Sequence, residues 1–275
     1  GEGEAARDGH AAYYDRAVFT TLGLVSMTGG IGSMSMRPIF NVARWMDLVE
    51  KDIDNLRASV EWTVARNPES GLLMAATLSL ALSAARLGDG TPAVREALAA
   101  LDTLPLTDDK IAARWRELRT LAYLALANHS LAMGDTVSAI AEYTEAERLA
   151  RLNHNQGLLA RALVQRSLSA AFLNDDSTIT TAHEAAALFR ELGDSTGETQ
   201  AIGQLSTFYL RRGDRANAMP LADQTKAMLE TSDDPLIAIY WYLGAPQLAR
   251  AEGDIPKAEK LYREGWKIFQ GMKNR

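Results

Sequence analysis

The side chains able to carry out chemistry are scattered along this chain. His10, His129, His154 and His183 fall in four different regions, and no His-Glu-x-x-His or other ligand spacing joins them, so no metal site is expected. No Gly-x-Ser-x-Gly elbow presents a serine nucleophile. The complete absence of cysteine excludes disulfides, cysteine-ligated zinc, iron–sulfur clusters and thiol catalysis, and fits a reducing, cytoplasmic setting. Asp52 and Asp54 stand two residues apart and cannot share a helix face, so they make no paired-carboxylate acid/base site. Glu142, Glu145 and Glu147 read as a solvated acidic helix face. The glycines of "TGGIGSMSM", Thr28 to Met36, invite comparison with a phosphate loop. No Gly-Lys-Ser/Thr follows them and no strand precedes them, so a loop between helices is expected. With no convergent constellation, the expectation is a non-catalytic chain that needs no cofactor.

The remaining chemistry is recognition. Asn128, Arg161, Gln200, Thr207, Arg211, Tyr240, Gln247 and Arg250 form a polar, partly cationic set suited to carboxylates, phosphates, sugars or a peptide backbone. Whether they form a row depends on the elements that carry them, and those elements are written as a repeat. Gly134-Asp135, Asn174-Asp175, Gly213-Asp214 and Gly253-Asp254 follow one another at 40, 39 and 40 residues, and Gly88-Asp89 lies 46 upstream of the first. Each is preceded by an apolar helical stretch. After each glycine of the first, third and fourth pairs comes a second helix with alanine five residues on: Ala139, Ala218 and Ala258. A fixed period in this range marks helical hairpins that bury their apolar faces against their neighbours. The expected fold is all-α: a right-handed superhelical solenoid of TPR-like antiparallel helix hairpins, with residues 1–70 an N-terminal helical cap and 71–275 the repeats continuous with it.

Aligning the four turns places the small residues Ala127, Ser167, Ser206 and Pro246 where the two helices of each hairpin cross. Tyr143 and Tyr262 fall at equivalent positions as packing aromatics. The glycine supplies a left-handed helix end and the aspartate a cap for the next helix. The unit around Asn174 carries an insertion and uses asparagine, the next-best residue for that turn. Arg166 falls where other units have Leu126 and Leu205, either through a shifted register or as a polar group aimed into a groove. In "YWYLGAPQ" three consecutive aromatics cannot share a helix face; Tyr240 is expected toward the groove and Tyr242 toward the core. Pro246 is expected to kink its helix or shift its start.

Upstream, His10, Tyr13, Tyr14, Ala17, Val18 and Leu22 form a stripe that predicts a helix at about residues 7–26. Trp45, Leu48, Val49, Ile53, Leu56, Val60 and Val64 predict one long helix or two joined ones from Val42, stopped at Asn67-Pro68. Asn55, unfavourable within a helix, is expected to bond a neighbouring loop. Composition agrees: 275 residues, 47% apolar, only 8 prolines. A chain this long buries about three quarters of its unfolded surface. The net charge of −6 suggests no nucleic-acid footprint. The longest apolar run, Leu72 to Ala85, is too short for a membrane span. The opening "GEGEAARDGH" lacks an initiator Met and signal-peptide features and reads as the start of an excised fragment.

"HAAYY" followed by "WMDLVEKDIDNLRASVEWTVARNPESGLLMAATLSLAL" resembles the helical region after the winged helix of STAND-class signalling ATPases: bacterial regulators of the LuxR, AfsR/SARP and maltose-activator type, and some cyclase fusions. The match to that family's His-Ala-x-Tyr-Tyr and Leu-x-x-Glu-x-Asp-Asn-Leu-Arg-Ala-Ala-x-x-Trp pattern rests on His10, Ala11, Tyr13, Tyr14, Leu48, Glu50, Asp54, Asn55, Leu56, Arg57, Ala58 and Trp62. Ser59 stands where the family usually has alanine. "LFRELGDSTGETQAIGQLSTFYLRRGD" resembles the family's TPR-like repeats. The resemblance implies a P-loop ATPase and winged helix upstream, and a sensor array that receives a protein or peptide partner, the ATPase module itself included. The alternative it implies is a small-molecule inducer that relieves autoinhibition.

Overall fold

The computed structural model describes residues 2–22, 42–85, 88–232 and 235–273. Among these, every regular element is a helix: α1 (Glu2–Leu22), α2 (Val42–Arg66), α3 (Pro68–Ala85), α4 (Thr91–Asp102), α5 (Asp109–Ala132), α6 (Thr136–Leu152), α7 (Gln156–Phe172), α8 (Ser177–Glu191), α9 (Ser195–Arg211), α10 (Arg215–Glu230), α11 (Pro235–Glu252) and α12 (Ile255–Lys273). The protein is all-α. It divides into two compact units, one ending at Ala162 and the other continuing from Leu163 within α7.

The turns explain why helices follow one another so closely. Gly134, Gly213 and Gly253 have φ of 83°, 77° and 82°, and Asn174 takes the same left-handed conformation at φ 58°. Each helix closes with the two bonds of a Schellman motif. At the first turn the Gly134 N–H donates to the Leu131 carbonyl at 3.0 Å and the Asp135 N–H to the Ser130 carbonyl at 2.9 Å. The aspartate side chain then starts the next helix: Asp135 Oδ1 accepts the Ser138 N–H at 3.1 Å, Asp214 Oδ1 that of Asn217 at 3.2 Å, and Asp254 Oδ1 that of Lys257 at 2.9 Å. One residue therefore satisfies orphan groups of two helices.

The same device operates between hairpins, where the sequence does not advertise it. Gly193 (φ 70°) with Asp194, and His154 (φ 52°) with Asn155, repeat the geometry. Asp194 Oδ1 accepts the Gly197 N–H at 2.9 Å and Asn155 Oδ1 the Leu158 N–H at 3.0 Å. Turns thus recur about every 20 residues, half the period visible in the glycines. The irregular unit carries no extra residue: α8 begins three residues after Asn174, whereas α6, α10 and α12 begin two residues after their glycines, yet Asn174 and Gly193 are 19 residues apart against 20 for Gly134 and His154.

In the first unit, α3 packs on α2 and α4, and α5 packs on both α3 and α4 before pairing with α6. Leu56, Val60 and Val64 of α2 meet Leu72 and Leu82 of α3, Val94 and Leu101 of α4, and Trp115, Leu118 and Leu126 of α5 in one core. Trp115 donates its indole N–H to Glu69 at 2.8 Å, so the ring is buried without stranding its polar atom. In the second unit, α9 packs on α8 and α10, and α11 packs on both α9 and α10 before pairing with α12. In both units a first helix rests on both helices of the hairpin before it, the packing of a helical solenoid. The alanines behave as the repeat requires: Ala139, Ala218 and Ala258 are buried, as are Ala127, Ser167, Ser206 and Pro246. Ser206 Oγ–H donates to the Ala218 carbonyl at 2.9 Å, which marks the α9–α10 crossing directly.

Several local expectations change. α1 starts at Glu2, earlier than its apolar stripe suggests; the expected end near residue 26 and the "TGGIGSMSM" loop lie outside the described residues. α2 is, as one of the two expected forms, a pair of joined helices that meet at a kink at Asp52 (φ −120°, ψ 19°). The side chains of Ala17, Val18, Leu22, Trp45, Leu48 and Val49 also lie outside the description. Asn55 donates its amide to Asp52 Oδ1 at 3.3 Å on its own helix, and the loop of residues 23–41 lies outside the described residues. Arg166 donates to Thr181 Oγ1 at 3.2 Å, so it points toward the second helix of its own hairpin. α11 runs through Pro246 from Pro235 to Glu252. Tyr262 is not a core aromatic. It is 48% exposed, where Tyr143 is fully buried.

Candidate functional site

Six of the eight recognition candidates come together in the second unit. On α9, Gln200, Thr207 and Arg211 lie seven and four residues apart, along one stripe. On α11, Tyr240 and Gln247 are likewise seven apart, with Arg250 beyond them. Two glycines lie in the seam between them. A Cβ added at Gly203 would meet the Tyr240 carbonyl at 3.8 Å, and one added at Gly244 would meet Thr207 Oγ1 at 3.4 Å, ordinary contact distances. The seam is therefore closely packed, with polar side chains along its length. Asn128 on α5 and Arg161 on α7 belong to the first unit.

The six differ in availability. Gln247 and Arg250 are exposed, and Tyr240 and Thr207 are half-buried. The Thr207 hydroxyl donates to the Gly203 carbonyl at 2.9 Å. Arg211 is exposed, but its guanidinium donates to the Ala171 carbonyl at 2.8 Å, satisfying an acceptor at the end of α7. Gln200 is only 6% exposed; its amide donates to Gln165 Oε1 at 3.1 Å, and its own Oε1 is buried with no hydrogen-bond partner among the described residues. A second link of the same kind joins Ser167 Oγ to Gln204 Oε1 at 3.4 Å. The face is thus an amide-rich strip running from α7 across α9. In the first unit, Asn128 is half-buried and donates to the Leu124 carbonyl one turn back at 2.6 Å, and Arg161 is half-buried. Tyr242, expected in the core, is half-buried and turns toward α12. Its hydroxyl bonds Glu264 at 3.3 Å, and burial together with that carboxylate raises its pKa above the ordinary tyrosine value.

Two side-chain groupings escape sequence reasoning because they join residues about 50 positions apart. Ser83 Oγ lies 3.2 Å from His129 Nδ1, and His129 Nε2 lies 3.5 Å from Asp89 Oδ1. Ser83 is buried within a helix, and Asp89 is committed to the start of α4, accepting the Thr91 N–H at 2.8 Å. Burial pushes the Asp89 carboxyl up, but the bonds from Thr91 and the nearby His129 and Arg95 outweigh it and hold the pKa below the ordinary value. The trio ties α3, α4 and α5 together; no exposed nucleophile results.

The second grouping is where the family-like residues meet. Ser59 Oγ lies 3.1 Å from His10 Nδ1, and Trp62 donates its indole N–H to Asp8 at 2.9 Å. Arg66 stacks 3.6 Å over the Trp62 ring and pairs with Glu4 at 3.1 Å and Asp8 at 3.4 Å. His10, Trp62 and Arg66 border an open cleft of ≈640 Å³ between α1 and α2. Its indole face and its guanidinium are already engaged by the protein itself, so Trp62 and Arg66 pair α1 with α2. A tryptophan four residues before an arginine on a predicted helix was the available signal.

No known protein family matches the chain, and no curated protein matches it. Its fold does resemble solved structures. BtubC (BKLC) from P. vanneervenii superposes with a TM-score of 0.62 at 17% identity, over 85% of this chain and 93% of that one. This likeness is one of fold. Among the described residues no helix is long and apolar enough to cross a membrane.

Proposed function

We propose that the chain is a non-catalytic, TPR-like interaction domain of a larger bacterial signalling ATPase, and that it binds a protein or peptide partner along the α9–α11 face. The observation that supports this reading most is the seam itself, where α9 and α11 pack closely and carry half-buried Thr207 and Tyr240 and exposed Gln247 and Arg250. A strip of this kind offers donors and acceptors at intervals over several turns, which suits an extended chain or a helix better than a compact ligand. The resemblance of the Asp54-Asn55-Leu56-Arg57 region to STAND regulators supports the upstream ATPase module as one such partner.

The second reading, a small-molecule inducer site, is favoured by Gln200. A buried acceptor without a donor is costly, and a ligand hydroxyl or amide would satisfy it. Melting of the chain, scanned against sugars, amino acids, nucleotides and arrayed peptides, separates the two. A ligand at 100 times its dissociation constant adds about 2.7 kcal/mol, a shift of several degrees. A peptide-induced shift lost in Tyr240→Ala and Gln247→Ala is expected. Partner binding that both variants retain would refute the placement, and a saturable sugar or amino-acid shift lost in Gln200→Leu would establish the inducer reading instead.

A further inference from the structure

The side of α9 that meets α7 carries hydrogen-bonding capacity that the protein leaves unused. Gln200, Gln204 and Arg211 stand four and seven residues apart, along one stripe. Each is tied to α7 through one of its groups: Gln200 gives its amide to Gln165, Gln204 Oε1 takes the Ser167 hydroxyl, and Arg211 gives an N–H to the Ala171 carbonyl. The opposite groups stay open among the described residues. Gln200 Oε1 is buried without a donor, and no acceptor meets the Gln204 amide N–H groups. The Arg211 charge meets no carboxylate, because the carbonyl it bonds is neutral and Asp176 is paired with the neighbouring Arg212. One residue from that carbonyl, Phe172 is 58% exposed, with α8 to α12 following it in the chain. Along α9 the open groups therefore run acceptor, donor, cation, with an apolar ring at the cationic end.

A complementary ligand supplies a donor, an acceptor, and an anion that sits beside an apolar group. The end of a polypeptide does this with its main-chain N–H and C=O, then a terminal carboxylate on the residue that bears the last side chain. An internal aspartate or glutamate brings its carboxylate with no apolar group on the same residue. The eleven residues from Gln200 to Arg211 rise about 16 Å, a distance that an extended chain covers in about five residues. We infer that the α7 side of α9 binds the C-terminal tail of a partner protein. The tail lays its main chain on Gln200 and Gln204, its terminal carboxylate on Arg211 and an apolar last side chain on Phe172. This rests on the reading of α9 as a peptide-binding surface and names the part of the partner that it takes. The carboxylate gives Arg211 a charge-assisted bond, and a main-chain N–H satisfies the orphan acceptor of Gln200.

The test is selection of random pentapeptides displayed with free C-termini, using the full chain as target and its Arg211→Gln variant for counter-selection. That variant removes the charge and keeps an amide able to donate to the Ala171 carbonyl. Enriched sequences are expected to end in an apolar residue with little preference upstream, where only the main chain is read. The best synthetic peptide should lose at least about tenfold in affinity on C-terminal amidation, and also with Arg211→Gln or Phe172→Ala, and should weaken with added salt. Amidation alters only the peptide, so its outcome stands whatever the variants do to folding. Peptides that bind equally well as amides, or that ignore Arg211 and Phe172, would overturn the inference. If the binding of those peptides were lost in Tyr240→Ala, the peptide-binding reading would survive without it. Tails ending in Asp or Glu, or no enrichment at all, would overturn the inference as well.

Discussion

Gly197 and Gly203 lie on the same helix and should respond to alanine with opposite signs. Alanine in place of a helical glycine gains up to about 1 kcal/mol through backbone entropy. At Gly203 nothing opposes that gain, because the new Cβ would sit 3.8 Å from the Tyr240 carbonyl and 4.0 Å from Thr225 Cγ2, ordinary contact distances. At Gly197 the Cβ would come within 2.5 Å of Phe189 Cε1 and 2.6 Å of its Cγ. That is about 1 Å inside the ~3.5–4 Å of normal carbon contact. Phe189 is 1% exposed, so its ring has no solvent to yield into. Overpacking of this kind costs about 1–3 kcal/mol, which exceeds the entropy gain.

Gly197→Ala is therefore expected to lose about 1–2 kcal/mol and Gly203→Ala to hold or gain a few tenths. In thermal melts followed by circular dichroism this separates the variants by several degrees, at about 2–4 °C per kcal/mol for a chain of this size. Phe189→Leu placed in the Gly197→Ala background should recover part of the loss, a coupling visible only in the double-mutant cycle. If Gly197→Ala proved as stable as Gly203→Ala, the α8–α9 contact would not be set by the missing side chain.

Three further outcomes follow from the turns and the core. Tyr143 is fully buried, its hydroxyl has no hydrogen-bond partner among the described residues, and burial raises its pKa far above the usual value; Tyr143→Phe should leave stability unchanged or raise it by about 1 kcal/mol in urea titration. Asn155→Ala removes the bond to the Leu158 N–H and the 3.2 Å bond to Glu117, and should cost about 1 kcal/mol in the same assay. Asp135 and Asp214 have pKa values lowered by hydrogen bonds from Ser138 and Asn217, so their contribution is present above the unfolded carboxylate pKa and is lost as pH falls through the lowered folded values. Unfolding curves of Asp135→Asn, which keeps an acceptor that does not titrate, should accordingly fall less steeply below about pH 4 than those of the parent.

How far the sequence could be read depended on whether a residue's role is local. Gly134, Asn174, Gly213 and Gly253 were legible because a left-handed helix end followed by a capping side chain is a requirement of four or five consecutive residues, and the chain writes it the same way each time. The turns at His154 and Gly193 obey that requirement too, but histidine disguises one of them and the spacing of the glycines hides the shorter period. Side-chain direction was less legible. The register put Gln200 in the groove and left Arg166 between a shifted register and the groove, yet Arg166 donates to its own hairpin at Thr181 and Gln200 is sunk against Gln165. Their direction is fixed by which partner is in reach, and a partner 15 or 35 residues away leaves no mark on the periodicity. Tyr262 fails for a deeper reason. Its position in the repeat is the same as that of Tyr143, yet it is 48% exposed where Tyr143 is fully buried. In a solenoid, burial belongs to the interface between units rather than to the unit, so a repeat-based reading assigns every copy the environment of an interior one. The residue at which that assignment breaks here is Tyr262, which the register of Tyr143 places in the core and the structure leaves half exposed.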